Sequence, residues 1–304
     1  MAMQRLIRVC FALLLIGTLV GTSVVSATTA PTNPDGDFFL YIPTNAAARG
    51  PLQVLVTVHG MGWNGTSFCQ NLINRAEQDG WILVSPTFHY RDNFNPAMVL
   101  QDDTELLPRL AQYIDDLPAK TGLPIRDKVL LYGFSRGAQI VHRFAEFYPD
   151  RTLAVALFAA GTYTLPVPTM NVNGTPTTLN LPYGVADLQQ YTDAPFDAAA
   201  FRRVPFFIGV GGADDHAGDA PPAWDAYNGV TRLARSENFA RTLQNFGLNA
   251  SLTVYPGVGH DITSDMRGQA MTFLEQQAAL AKLTQADQTI AQTFLSDISP
   301  SPIP

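Results

Sequence analysis

Leu130-Leu131-Tyr132-Gly133-Phe134-Ser135-Arg136-Gly137-Ala138 is the stretch that decides how this chain reads. An apolar run ends at Phe134, and a helical pattern begins beyond it. The pentapeptide Gly133-Phe134-Ser135-Arg136-Gly137 fits G-x-S-x-G. Alone, that pattern is a weak signal. Between a buried strand and a helix it is strong. A tight, strained turn there favours glycine at the flanking positions and projects the serine hydroxyl beyond the sheet edge. The plainer alternative is a serine helix cap whose neighbouring glycines serve only packing.

Outward from Ser135, strands and helices alternate. Strands are expected at Asp37–Pro43, Gln53–Val58, Trp81–Val84, Lys128–Tyr132, Leu153–Phe158, Val204–Val210 and Ala250–Tyr255. Helices are expected at Ser67–Asp79, Asp102–Lys120, Ser135–Tyr148, Thr231–Phe246 and Ser264–Lys282. The Asp102–Lys120 helix places acids in its first turn, which suits the helix dipole. Short apolar strands between helices predict an α/β fold, a mostly parallel central sheet with helices on both faces. Residues 161–200 break the alternation with Pro166, Pro168, Pro176, Pro182 and Pro195. They read as a cap-like insertion loop on the ligand side of the sheet. No internal repeat is visible.

The whole chain has 304 residues, 46% hydrophobic and 15% charged, with a formal net charge of -7. Dominant disorder is excluded by the hydrophobic content. The acidic balance argues against a nucleic-acid partner that binds through phosphate neutralisation. Two cysteines exclude a disulfide-rich scaffold and a Cys-based zinc module. Met1 to Ala27 runs from Arg5 and Arg8 through an apolar stretch to small residues, the order of a signal peptide. An uncleaved membrane anchor is the alternative. Residues 28–36 read as a linker, 37–298 as the catalytic domain and 299–304 as a disordered tail. The expectation is a secreted or periplasmic protein with no membrane partner after cleavage. Its remaining Cys69 is then a small buried hydrophobe.

A serine hydroxyl is a poor nucleophile until a base and an orienting acid act on it. His260 follows the last strand and is the expected base. His142 lies within the elbow helix, His89 in a loop, and His59 is read as structural. The acid is expected between serine and histidine in chain order. Gly211-Gly212-Ala213-Asp214-Asp215 ends a strand, so Asp214 is the choice and Asp215 the fallback. Asp214, Asp215, His216 and Asp219 also admit a metal-binding reading, though they lack the spaced EF-hand pattern. No metal and no cofactor is expected. Oxyanion donors are expected at the backbone N–H of Arg136 and, from His59-Gly60-Met61-Gly62, at Met61. Trp63, Phe134 and Tyr163 are candidates to line the substrate pocket.

On these residues the chain resembles the α/β-hydrolases. More narrowly, it resembles the secreted esterases grouped with polyhydroxybutyrate depolymerases and feruloyl esterases. Ile125-Arg126-Asp127-Lys128-Val129 ahead of the elbow and Tyr148-Pro149-Asp150 after it are similar to that group. The likeness covers residues 37–282, with one mature cysteine where many relatives use disulfides. It implies a serine esterase that forms an acyl-enzyme from a small-molecule or polymeric ester. A serine peptidase of the same fold and a non-catalytic binding protein on this scaffold are the alternatives.

Overall fold

The computed structural model describes residues 37–297. The expected signal peptide, linker and tail lie outside the described residues. Val54 to Val58 shows how the sheet is built. Successive side chains of a strand point to opposite faces. Val54, Val56 and Val58 therefore enter one apolar cluster and Leu55 the other. A strand buried on both sides needs helices on both sides.

The strands are β1 (Phe38–Tyr41), β2 (Val54–Val58), β3 (Ile82–Pro86), β4 (Val129–Phe134), β5 (Thr152–Phe158), β6 (Thr169–Val172), β7 (Thr175–Thr178), β8 (Phe206–Gly211) and β9 (Ala250–Tyr255). The helices are α1 (Gly65–Asp79), α2 (Pro96–Thr121), α3 (Arg136–Phe147), α4 (Ala198–Phe201), α5 (Asp225–Asn228), α6 (Arg232–Asn245) and α7 (Ser264–Asp297). The main sheet has the order β1-β3-β2-β4-β5-β8-β9. Only β1 is antiparallel to its neighbour. One face packs on α2, α3 and α6 through Leu107, Leu110, Phe144 and Phe239. The other packs on α1 and α7 through Phe68, Leu72, Met266 and Leu274. β4 lies in the middle, so its C-terminal end, and Ser135 beyond it, sit over the centre of the sheet.

Two expectations change. α2 begins at Pro96, not Asp102, because Asn95 caps it by accepting from Ala97 N and Met98 N and Pro96 suits the first turn. Asp102 and Asp103 are therefore not first-turn acids facing water but buried residues of the helix body. The insertion 161–200 is also not wholly irregular. It carries the β6–β7 hairpin, turned at Asn173-Gly174 with φ of 51° and 85°. Asn-Gly is the residue pair that such a turn favours.

Candidate active site

The elbow holds Ser135 at φ 54° and ψ -117°, a conformation rare for a residue with a side chain. Its surroundings leave no room for larger neighbours. A Cβ at Gly133 would lie 2.6 Å from the Gly137 carbonyl oxygen, and one at Gly137 would collide with the Val58 carbonyl. Those two glycines let β4, α3 and β2 converge. Ser135 N also donates to Phe158 O at 2.9 Å, fixing the turn to β5.

The structure brings three of the expected side chains into one hydrogen-bonded series. Ser135 Oγ lies 2.9 Å from His260 Nε2. His260 Nδ1 lies 2.7 Å from Asp214 Oδ2. Two loops hold that pair in register: Gly212 N donates to Tyr255 O and Ala213 N to Val258 O, each at 2.8 Å. Gly211 is needed there, since a Cβ would strike the Val258 carbonyl. Asp214 is 4% exposed. Burial pushes its carboxyl up. The hydrogen bond with His260, the His260 charge and Arg232 outweigh that and hold it below the ordinary value. Asp215, His216 and Asp219 are exposed. Among the described residues no three His, Cys, Asp or Glu side chains converge as a metal site.

Two other histidines are occupied elsewhere. His59 is buried, its Nε2 accepting from Phe88 N at 3.0 Å and its Nδ1 2.7 Å from Gly60 O. That second contact puts the proton on Nδ1. His142 is used in the same way by Thr164 N and Ala138 O. His89 is exposed.

Gly60 passes directly against the serine: a Cβ there would lie 3.1 Å from Ser135 Cβ. Met61, the next residue, sits in the same loop and has an exposed side chain. Arg136 is the first residue of α3, where a backbone N–H has no acceptor within the helix.

Trp63 and Phe134 form an aromatic wall beside the histidine. Their rings are 5.9 Å apart, and the Phe134 ring is 4.9 Å from that of His260. Tyr163 is not part of this wall. It is fully buried, stacked 4.2 Å from Phe239, with its hydroxyl 3.1 Å from Ser236 Oγ. Its place after β5 on the chain does not put it at the site, because the strand end turns it into the α6 side of the core. Beside Trp63 a cleft of about 320 Å³ opens between α1 and α7, lined by Trp63, Phe68, Asn71, Tyr132, Ile262 and Arg267.

Sequence reasoning missed the support behind the serine. The Arg136 side chain is fully buried and points away from Ser135 towards α2. Its Nη2 lies 3.3 Å from Asp102 Oδ2 and 3.2 Å from Asp103 Oδ1. Arg143 Nη1 lies 3.3 Å from Asp103 Oδ2, and its other nitrogens donate to Thr164 and Thr162 at 2.8 Å. It also missed Arg232, whose Nη1 lies 3.1 Å from Asp214 Oδ1.

No protein-family model matches the chain, and no curated protein matches it. Solved structures do. A poly(aspartic acid) hydrolase-1 from Sphingomonas sp. KT-1 is 24% identical with a TM-score of 0.59, over 78% of this chain and 92% of that one. Esterase PE8 is 19% identical with a TM-score of 0.52, over 78% and 96%. A phospholipase/carboxylesterase from Dyadobacter fermentans is 15% identical with a TM-score of 0.52, over 78% and 95%. Together with the sheet order and the strand–elbow–helix at Ser135, these likenesses identify the architecture: the chain has the α/β-hydrolase fold.

Proposed function

We propose that this chain is a serine hydrolase of carboxylic esters. The series from Ser135 Oγ through His260 to Asp214 carries the reading. In it His260 takes the hydroxyl proton on Nε2 as Ser135 Oγ attacks the ester carbonyl. Asp214 accepts from Nδ1, fixing the tautomer and stabilising the imidazolium that forms. The tetrahedral oxyanion is held by the backbone N–H of Arg136 and of Met61. Its collapse passes the proton from His260 to the leaving alkoxide and leaves an acyl-enzyme. Water, deprotonated by the same histidine, then releases the acid and restores Ser135.

The buried pairing of Arg136 with Asp102 and Asp103 supports the oxyanion assignment. It directs that side chain into the core, while the Arg136 N–H, at the first position of α3, has no acceptor within the helix. Trp63 and Phe134 suit an apolar or aromatic acyl group. The finer class, akin to polyhydroxybutyrate depolymerases and feruloyl esterases, rests on the sequence likeness alone.

Esterases and a poly(aspartic acid) hydrolase share the fold, so a test panel needs both ester and amide acyl bonds. Purified protein is assayed on p-nitrophenyl esters of graded length, feruloyl esters, polyester films and p-nitroanilides. Turnover of esters with a burst of p-nitrophenol is the expected result. Hydrolysis of anilides alone would favour a peptidase. Turnover of none would leave a binding protein.

A further inference from the structure

The cleft beside Trp63 contains a guanidinium with no carboxylate partner and a phenol with no hydrogen-bond partner among the described residues. Arg267, in the first turn of α7, gives Nη1 to Ile262 O at 2.7 Å. It has no carboxylate within salt-bridge distance among the described residues. Tyr132 reaches the same cleft from β4. Its hydroxyl is buried and has no hydrogen-bond partner among the described residues. A buried hydroxyl left unpaired is costly, by about 1–3 kcal/mol. A ligand atom reaching that hydroxyl would relieve the cost.

No neighbouring carboxylate pairs with Arg267 among the described residues. Asp261 lines the same cleft, but it is exposed and its Oδ1 accepts from Ile262 N at 2.7 Å. Asp265 is exposed and its Oδ2 accepts from Gln269 Nε2 at 3.0 Å. The α1 wall opposite contributes Asn64, Ser67 and Asn71, all uncharged. The walls of the cleft are linked to the triad through chain and ring contacts. Ile262 is two residues beyond His260, and Trp63 packs on Phe134, which packs on the His260 ring.

We propose that this cleft is a carboxylate-binding subsite, and that the chain prefers esters whose acyl chain ends in a carboxylate, monoesters of dicarboxylic acids. Arg267 supplies the charge and the Tyr132 hydroxyl a second donor to the same group. Phe68 and Trp63 cover the methylenes between that carboxylate and the scissile carbonyl. At about 320 Å³ the cleft is at the small end of ligand sites, which span roughly 300–1,000 Å³, so it takes a short chain.

This assignment rests on the hydrolase reading for its place beside Ser135, and it is tested by binding so that the two fail separately. Ser135→Ala protein is titrated calorimetrically with monomethyl glutarate and with dimethyl glutarate. The monoanion is expected to bind at least about tenfold more tightly. The difference is expected to vanish when Arg267→Gln is added, to survive in part with Arg267→Lys, and to shrink with Tyr132→Phe. A merely structural Arg267 would weaken both ligands alike. Equal binding of the two, no binding of either at millimolar concentration, or a preference that persists in Arg267→Gln overturns the subsite. An intact chain that hydrolyses neither neutral esters nor monoesters of dicarboxylic acids overturns the hydrolase reading instead.

Discussion

Arg232 holds the oxygen of Asp214 that His260 leaves free: Nη1 to Oδ1 is 3.1 Å, while His260 Nδ1 sits 2.7 Å from Oδ2. The carboxylate is thus shared between a permanent cation and an imidazole that becomes one during the reaction. Arg232 also donates to Asp219 O, and Leu233 N donates to Asp214 O at 3.1 Å. The start of α6 therefore clamps the acid in both position and charge.

Arg232→Gln removes the competing charge and leaves Asp214 wholly to the protonated imidazole. Asp214, held below its ordinary value in part by that guanidinium, then takes up its proton at higher pH. The acid limb of kcat/KM is expected to move upward, by up to about one pH unit, and Arg232→Lys to restore most of it. A uniform fall in activity with an unmoved limb would make Arg232 structural only.

Asp214→Asn keeps the shape but not the charge or the tautomer. The expected loss in turnover number is on the order of 10⁴-fold, by analogy with the serine-protease triad. Asp215 is its exposed neighbour, and Asp215→Asn should stay within about threefold, since an exposed side chain off such features costs little. A large loss only at Asp215 would reverse the assignment.

Behind the elbow, Asp103 faces both Arg136 and Arg143. Burial pushes the Asp103 carboxyl up, against both guanidiniums, and lowers the Arg143 guanidinium to about 10. Removing one partner leaves buried charge uncompensated. Asp103→Ala is expected to cost about 3–5 kcal/mol in urea unfolding. A change below about 1 kcal/mol would show that the cluster does not hold α2 to α3.

Much of this arrangement is legible in the sequence where its cause is local. The approach of β4, Ser135 and α3 follows from Gly133 and Gly137, which leave room for the turn where a Cβ would collide. Asn95-Pro96 is a readable helix start, overlooked in favour of the acids at Asp102 and Asp103. Those acids look like surface residues because Arg136 and Arg143, which pair with them in the core, are 33 or more positions away. Arg232 and Arg267 carry no local pattern, and only the convergence of loops gives each its neighbour. Tyr163 shows the reverse error. An aromatic residue after a strand looks like pocket lining, and only packing against Phe239 reveals it as core.

His59 and His142 supply a pH signature. Burial holds both below the ordinary value of 6.5. The unfolded chain therefore takes up protons that the folded chain refuses. The stability they contribute is complete above about pH 6.5 and falls as pH drops through that value towards their folded values. Denaturant midpoints at pH 7.5 and 5.5 should differ, and His142→Gln should flatten the difference. Equal midpoints in the parent protein would contradict the buried neutral state.

The central claim is that Ser135 is the nucleophile. Reaction with a fluorophosphonate, followed by intact mass and peptide mapping, tests it most directly. A single adduct on Ser135, absent in Ser135→Ala and slowed in His260→Ala, is the predicted result. No adduct on Ser135, with ester hydrolysis surviving in Ser135→Ala, would contradict it.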